Sequence, residues 1–316
     1  MATFDISVIG ELNLDIIFYG LPTTFQLDQE HLANDLSITL GSSSAIFAHN
    51  LALLGNKVGF SSSIGGDPLG EICLERLADS GVDVSRVSRM VEKTTGLSVI
   101  LMQDKKRYIL TYPGTMYEMR GGDLDLSYVL NAKHLHLSSY FLQKAMQADL
   151  PEIYREAKDA GLTTSLDTNG APENRWPEDF SQLLKHVDIL LLNEDEACGM
   201  AGTEDVHEAI EKLSTRVAML VVKIGSRGAE ARVGKTKYSA PPLTVEAVDS
   251  VGAGDSFDAG FLHQFIRGEN VQNCLEFGNL TGALSVTRSG GTEAFKDAEW
   301  RKSFLRKNKQ TSSARS

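Results

Sequence analysis

Short apolar runs alternate with helical patterns along most of this chain. The runs have the length of buried strands and are Ile6–Ile9, Lys57–Ser61, His134–Leu137, Thr163–Leu166, Ile189–Leu192 and Met219–Ile224. Helical periodicity is clearest in Pro68–Ser80, Ala145–Ala160 and Asp205–Leu213. Strands that alternate with helices are typical of parallel sheets, so the pattern predicts an α/β fold with a central, mainly parallel sheet flanked by helices.

Two stretches interrupt this alternation, Leu12–Leu40 and Thr94–Tyr112. In the second, Leu97–Met102 and Tyr108–Tyr112 flank a polar turn at 104–106, which predicts an antiparallel hairpin. We expect both stretches to form a small sheet that projects from the main domain as a lid.

The domain organisation follows from what the sequence lacks. It has no internal repeat, low-complexity segment or Pro/Ser-rich linker. We therefore predict one domain over residues 1–309, with a lid formed by about 12–40 and 94–117, and a disordered tail at 310–316.

Charge and cysteine content exclude several classes of protein. The 316 residues include 31 Lys and Arg against 42 Asp and Glu, a formal net charge of −11, which argues against a nucleic-acid partner. Cys73, Cys198 and Cys274 are scattered, which suggests neither a disulfide framework nor a zinc site. The amino terminus lacks a leader pattern and no apolar run has membrane-spanning length, so we predict a cytoplasmic protein without a membrane partner.

The sharpest chemical feature is the glycine-rich segment Asp249–Phe257, which precedes a run of helical periodicity. The first amides of a helix lack intrahelical partners and face outward at the positive end of the dipole, so this turn can bind an anion such as a transferring phosphoryl group. Asp255 is then either a general base that accepts a hydroxyl proton or a simple helix cap. Asp258 fits a supporting or solvated residue, and Asp249 fits a cation ligand or an ordinary loop acid.

This segment resembles the Asp-Thr-x-Gly-Ala-Gly-Asp signature of the ribokinase (PfkB-type) carbohydrate kinases. Further matches follow in the family's order and are Asn13–Asp15, Gly41–Ala45, Gly65–Gly70, Asn193–Glu196 and Lys223–Gly228. The resemblance implies a ribokinase-like fold with a β-sheet lid, and ATP-dependent phosphorylation of a hydroxyl on a sugar or sugar-like molecule. It also implies a homodimer that forms through the lid.

The resemblance assigns roles to individual residues. Asp255 would be the base, with the anion hole formed by Gly252, Ala253 and Gly254. Substrate-binding residues would be Asn13, Asp15, Gly41, Ser42, Ser43 and Asp255. ATP-binding residues would be Asn193, Lys223, Gly225, Ser226, Gly228, Gly254 and Asn279. Glu196 would hold Mg²⁺, directly or through water. A monovalent cation such as K⁺ would be held by Asp249, Val251, Ser285, Arg288 and Gly290.

Several matches also have plainer interpretations. Asp15 suits an ordinary loop acid, and the serines after Gly41 suit a helix cap. Glu196 lies in an acidic run that usually faces water. Lys223 fits a buried outlier or a snorkelling side chain, and Asn279 fits a helix-surface amide.

Departures from the family pattern bear on the acceptor. Ser42 replaces the second glycine, and Ile46 stands where ribokinase has a sugar-binding asparagine, which argues against ribose. Arg107 would suit an acid sugar or a phosphosugar, or is a solvated turn residue. A nucleoside kinase, with stacking on a base, is an alternative; its candidate aromatic residues are Phe18, Phe47 and Tyr140. A non-catalytic sugar-sensing relative is a second alternative.

Overall fold

The computed structural model describes residues 2–22, 24–103, 106–171, 175–177 and 180–312. The strands are β1 (Phe4–Ile9), β2 (Asn13–Tyr19), β3 (Asp35–Leu40), β4 (Val58–Gly65), β5 (Asp83–Met90), β6 (Gly96–Gln103), β7 (Lys106–Tyr112), β8 (Ala132–Leu137), β9 (Thr163–Asp167), β10 (Ile189–Asn193), β11 (Met219–Lys223), β12 (Ala229–Val233) and β13 (Thr236–Ala240). The helices are α1 (Ser43–Leu53), α2 (Pro68–Asp79), α3 (Leu126–Val129), α4 (Leu150–Asp159), α5 (Phe180–Leu184), α6 (Glu194–Ala201), α7 (Val206–Leu213), α8 (Ala253–Phe265), α9 (Val271–Ser285), α10 (Glu293–Lys296) and α11 (Ala298–Ser312).

A large sheet forms the centre of the molecule, with strands in the order β13-β12-β11-β10-β9-β8-β1-β4-β5. Neighbours from β11 to β5 pair in parallel, whereas β12 and β13 add an antiparallel hairpin at one edge. The predicted apolar runs coincide with β1, β4, β8, β9, β10 and β11. The mainly parallel α/β fold is therefore confirmed.

Helices cover both faces of this sheet. Along β10, Leu190 and Leu192 join an apolar core with α4, α5 and α7, while Leu191 joins a second core with α1, α2 and α8. Successive side chains of a strand point to opposite faces, so a strand buried on both faces is apolar at almost every position. This explains why β10 reads as an uninterrupted apolar run.

The small sheet has the order β3-β2-β6-β7, and its β6–β7 hairpin was predicted. Its two faces differ in chemistry. One row across the inner face is polar and comprises Thr39, Asp15, Ser98 and Thr111. Two rows across the outer face are apolar and comprise Ile38, Ile16, Val99 and Leu110, and Leu36, Phe18, Leu101 and Tyr108.

Two predicted boundaries differ from the structure. Helix α4 begins at Leu150 and not at Ala145, because Pro151 lies in its first turn. A proline is tolerated there but would break a helix that continued on its amino-terminal side. At the carboxyl terminus, α11 runs to Ser312, so the predicted tail begins inside a helix. Residues 313–316 lie outside the described residues.

No helix in the described part of the chain is both long and apolar enough to cross a membrane.

Candidate active site

A cleft of about 790 Å³ lies between the inner face of the small sheet and the carboxyl ends of the large sheet's strands. Ligands of open parallel sheets bind at this edge, because loops from neighbouring strands converge there. Side chains of Asp15 and Ser98 line the cleft from the small sheet, and those of Asp167, Asn193 and Lys223 line it from β9, β10 and β11. The start of α8 forms its floor.

The glycine-rich turn begins α8 as predicted. Gly252 is the N-cap residue, with φ of 71°, and a Cβ on it would lie 2.5 Å from Cα of Gly291. Only glycine fits a position that is both left-handed and crowded by backbone. The amide of Ala253 donates to the carbonyl of Ser250 at 3.3 Å. Asp255 occupies the first turn of the helix and is not its cap, so the helix-cap interpretation of this residue is wrong.

Asp255 lines the cleft directly beside this turn. Burial raises the pKa of its carboxyl to about 7, with the negative charge of Asp167 adding to the increase. The positive charge of Lys223 and a hydrogen bond with Ser43 act in the opposite direction. A carboxylate with a pKa near neutrality can both hold a proton and release it at physiological pH.

The predicted sugar-binding residues converge on one wall of the cleft. The side-chain amide of Asn13 donates to Oδ1 of Asp15 at 3.3 Å, and a Cβ on Gly41 would lie 2.1 Å from the same oxygen. Burial raises the pKa of Asp15 to about 7. Ser42 accepts the amide of Ala45 at 3.1 Å as the N-cap of α1. Ser42 is thus a helix cap that also lines the cleft.

Two polar residues of this wall, the buried Glu11 and the half-buried Asn169, were not predicted as binding residues. Glu11 accepts hydrogen bonds from the Ser44 hydroxyl at 2.9 Å and from the Gln143 side chain at 2.8 Å. Asn169 donates to the hydroxyls of Ser43 at 3.1 Å and Ser139 at 2.6 Å. Glu11 and Asn169 follow β1 and β9. Their position just after an apolar run is the sequence signal from which they could have been predicted.

Lys223, a predicted ATP-binding residue, lines the cleft and forms ion pairs with two aspartates. Its Nζ lies 2.7 Å from Asp167 and 2.9 Å from Asp258, and all three groups are largely buried. Burial alone would raise the pKa of Asp167, but Lys223 holds it at about 2. Burial raises the pKa of Asp258 well above its usual range. Lys223 is therefore a largely buried cation at the end of an apolar strand, which fits the buried-outlier interpretation and not a snorkelling side chain, and Asp258 is buried and not solvated.

Asn193 and Glu196 form a reciprocal cap at the start of α6. The Glu196 carboxylate accepts the Asn193 amide at 2.8 Å and its side-chain nitrogen at 2.6 Å, while the Glu196 amide donates to Asn193 Oδ1 at 2.8 Å. Burial raises the pKa of Glu196 to about 7. The interpretation of Glu196 as a solvated acid is wrong, because its side chain is 5% exposed and lines the cleft.

The remaining predicted nucleotide residues lie at the same end of the cleft. Gly225, Ser226 and Gly228 follow β11 and line it. Asn279 of α9 also lines the cleft and donates to the carbonyls of Ala240 at 3.0 Å and Pro241 at 2.9 Å. It therefore joins α9 to the end of β13.

The two segments predicted to hold a monovalent cation lie side by side. The Asp249 carboxylate accepts the amides of Val251 at 2.8 Å and Gly290 at 2.9 Å. The Ser285 hydroxyl is buried without a hydrogen-bond partner in the described chain. Arg288 bonds Asp297 at 3.2 Å and stacks on the Trp300 ring.

The aromatic residues proposed to stack on a nucleoside base do not line the cleft. Phe18 lies on the outer face of the small sheet, in register with Leu36 and Leu101. Phe47 is fully buried against His136, and Tyr140 packs against Phe141 and Phe180. Phe47 and Tyr140 are packed in the core and Phe18 faces away from the cleft, so none of the three is placed to stack on a base bound there.

Comparisons with known proteins agree with this geometry. The family model for the pfkB family carbohydrate kinases matches residues 3–298. The chain is 31% identical over 256 residues to the ATP-dependent ribose-1-phosphate kinase of Halopiger xanaduensis, covering 80% of this chain and 82% of that protein. It is 28% identical over 314 residues to the 2-dehydro-3-deoxygluconokinase of Bacillus subtilis, covering 93% and 96%. The structure of Arabidopsis thaliana ribokinase complexed with ribose and ATP matches with a TM-score of 0.81 at 26% identity, covering 96% and 99%.

The start of α8 lies at the carboxyl edge of the large sheet, and the small sheet covers the cleft above it. A helix N-terminus in this position can bind phosphate, so the fold and the cleft define a small-molecule kinase. The chain belongs to the pfkB family of carbohydrate kinases, and the predicted resemblance is confirmed. It is an ATP-dependent sugar kinase.

Proposed function

We propose that Asp255 is the general base of this sugar kinase and that the turn formed by Gly252, Ala253 and Gly254 is the anion hole that stabilises the transferring phosphoryl group. The observation that carries the proposal is the Asp255 carboxyl, raised in pKa to about 7 and facing the cleft from the first turn of α8. A base is most effective when its pKa lies near the working pH, and outward-facing amides stabilise developing negative charge.

The chemical step follows from this arrangement. A hydroxyl of the acceptor, held by Asn13, Asp15 and the residues around Ser43, gives its proton to the Asp255 carboxylate as its oxygen attacks the γ-phosphorus of ATP. A bond forms between that oxygen and phosphorus while the bond to the bridging oxygen of ADP breaks. Asp255 then releases the proton to solvent. The small sheet excludes water, which would otherwise compete as the phosphoryl acceptor.

The ATP end of the cleft fits a phosphate-bound Mg²⁺. Glu196 would hold the ion through water, since both of its oxygens already accept hydrogen bonds from Asn193. No group of three or more His, Cys, Asp or Glu residues that could hold a metal ion occurs among the described residues. In phosphoryl-transfer sites Mg²⁺ usually keeps several waters and is bound by substrate phosphates with one or two carboxylates. When bound, Mg²⁺ would neutralise phosphate charge.

The test is ATP consumption over a panel of acceptors that includes ribose, ribose 1-phosphate and 2-dehydro-3-deoxygluconate, substrates suggested by the names of the relatives. We expect Asp255→Asn to lower kcat by about 10²–10⁴-fold, the usual contribution of general acid–base catalysis. Undiminished turnover in this variant would rule out the proposed base. If the wild type consumed no ATP with any of the acceptors, the non-catalytic sugar-sensing interpretation would stay open.

A monovalent cation between the 249–251 and 285–290 segments is a further part of the proposal. The unpartnered Ser285 hydroxyl and the close approach of Gly290 to Asp249 support it. We expect turnover to rise when K⁺ replaces a bulky organic cation, and thermal melting to shift upward with K⁺ in the absence of substrate. An unchanged melting curve would contradict this site.

We also propose that the protein works in the cytoplasm as a homodimer joined through the outer face of its lid. Leu110 and Leu36 of that face are 61% and 50% exposed, and Cys73 and Cys274 are buried free thiols that suit a reducing compartment. A contiguous apolar surface of this kind marks an interface in most soluble proteins.

A further inference from the structure

The cleft face of β7 carries a cation. Strand residues alternate between faces, and Arg107, Ile109 and Thr111 line the cleft, whereas Leu110 belongs to the outer apolar rows. Arg107 is thus directed toward the acceptor side by strand register. Its Nη1 donates to the hydroxyl of Ser250 at 3.2 Å, next to the glycine-rich turn. Arg107 lies in strand β7 and not in the turn, and its exposed side chain stands at the mouth of the cleft.

Among the described residues that line the cleft, Arg107 is the cation that forms no ion pair, although its charge lowers the pKa of Asp15. Among the described residues, Arg107 and Lys223 supply the Lys, Arg and His side chains of the lining. Lys223 is paired with the buried carboxylates of Asp167 and Asp258. Arg107 forms no ion pair with a described residue, and its one described hydrogen bond is to a neutral hydroxyl.

The rest of the acceptor side is acidic. Glu11, Asp15 and Asp255 all line the cleft, so an anionic acceptor would be repelled unless a cation faced it. A neutral sugar requires hydroxyl-binding groups, which Asn13 and Asp15 already supply. A guanidinium, in contrast, offers a planar set of donors that matches a carboxylate or a phosphate.

We infer that Arg107 binds an anionic group of the acceptor, so that the substrate is a sugar acid or a sugar phosphate. This inference rests on the proposed function, because it places the acceptor between Arg107 and Asp255. Both kinds of anion present two or more oxygens to the guanidinium, and the experiment below separates them.

The experiment compares wild type, Arg107→Gln and Arg107→Lys on two matched pairs of acceptors. One pair is ribose 1-phosphate and ribose; the other is 2-dehydro-3-deoxygluconate and its neutral amide. We expect wild type to favour the anionic member of at least one pair. For that member, Arg107→Gln should lower kcat/KM by about 10–100-fold, the range expected for a lost charge-assisted hydrogen bond, with a smaller loss for Arg107→Lys. For the neutral member the change should stay within about threefold.

Controls separate this inference from the proposed base. Arg89→Gln removes an exposed arginine of β5 outside the cleft and should leave both pairs unchanged. An equal loss on the neutral and anionic members, or a rise only in the KM for ATP, would overturn the inference, because Arg107 would then serve the lid or the nucleotide. If wild type showed no turnover at all, the proposed function would fail, and calorimetric binding of the two anions to wild type and Arg107→Gln would still decide the role of Arg107. Equal binding by the two proteins would overturn it.

Discussion

Asp255 and Asp258 lie one turn apart at the start of α8, in surroundings that differ sharply. Asp255 faces the cleft beside the glycine-rich turn, with Ser43 as a hydrogen-bond partner. Asp258 is 1% exposed and lies 2.9 Å from Lys223, which also binds Asp167. Burial raises the pKa of both aspartates, yet only Asp255 can reach an acceptor. A raised pKa therefore identifies a catalytic base only when the group also faces the substrate.

Lys223 lies between two buried carboxyl groups, those of Asp167 and Asp258. Its positive charge lowers the pKa of Asp167 against the effect of burial. Burial raises the pKa of Asp258 well above its usual range, although Lys223 acts in the opposite direction. Asp258 would support the floor of the site without entering the reaction.

The largest effect on stability should come from Lys223→Met. It leaves Asp167 as a buried charge without its partner, so we expect the free energy of unfolding to fall by about 3–5 kcal/mol. Urea denaturation followed by circular dichroism measures this change. Lys223→Met combined with Asp167→Asn removes the unpaired charge and should recover part of the loss. A double variant no more stable than the single one would argue against the ion pair.

The next largest effect is the dependence of kcat on pH. A carboxylate acts as a base only when deprotonated, so with a pKa of about 7 for Asp255 we expect kcat at saturating substrates to fall as the pH drops below about 7, by close to tenfold per pH unit. The Lys223 charge lowers the pKa of Asp255, so Lys223→Met should move the midpoint of the profile upward. Asp258→Asn should leave the midpoint near its wild-type position. A profile that is flat from pH 5.5 to 8 would contradict the assigned base.

The smallest effect on turnover should come from the outer face of the lid. Leu110→Glu places a charge at the β7 end of one of the two apolar rows, and we expect it to convert dimers to monomers in sedimentation velocity. Val91→Glu, at an exposed apolar residue outside that face, is the matched control and should remain dimeric. Since the cleft faces the other side of the same sheet, kcat should change by less than about tenfold. A wild type that sediments as a monomer would contradict the proposed dimer.

Local signals were enough to predict the site's main features. The six apolar runs, the β6–β7 hairpin and the glycine-rich turn each depend on residues close together in the sequence, and all of them occur in the structure. Most of the predicted site residues from Asn13 to Asn279 also line one cleft, whereas Gly41, Asp249 and the Gly65–Gly70 segment do not. Such features follow from periodicity and from residue types that few conformations tolerate.

Contacts between segments that are distant in the sequence could not be predicted from the sequence. Lys223 could not be paired with Asp167 and Asp258, because the three come together only when β9, β11 and α8 pack. The edge hairpin β12–β13 was also missed, since its strands mix exposed and buried residues without a long apolar run. The position of Arg107 in the cleft lining could not be predicted either, because it depends on which face of β7 meets the cleft.

The most direct test compares Asp255→Asn with Asp258→Asn in the same assay, with the dissociation constants for ATP and acceptor measured by calorimetry. Each variant replaces one carboxyl by an amide of nearly the same size, one turn apart on α8. We expect Asp255→Asn to lose about 10²–10⁴-fold in kcat while binding both substrates within about threefold of wild type, and Asp258→Asn to keep kcat within about tenfold. Equal losses in the two variants, or a loss confined to Asp258→Asn, would contradict the assignment of Asp255 as the base.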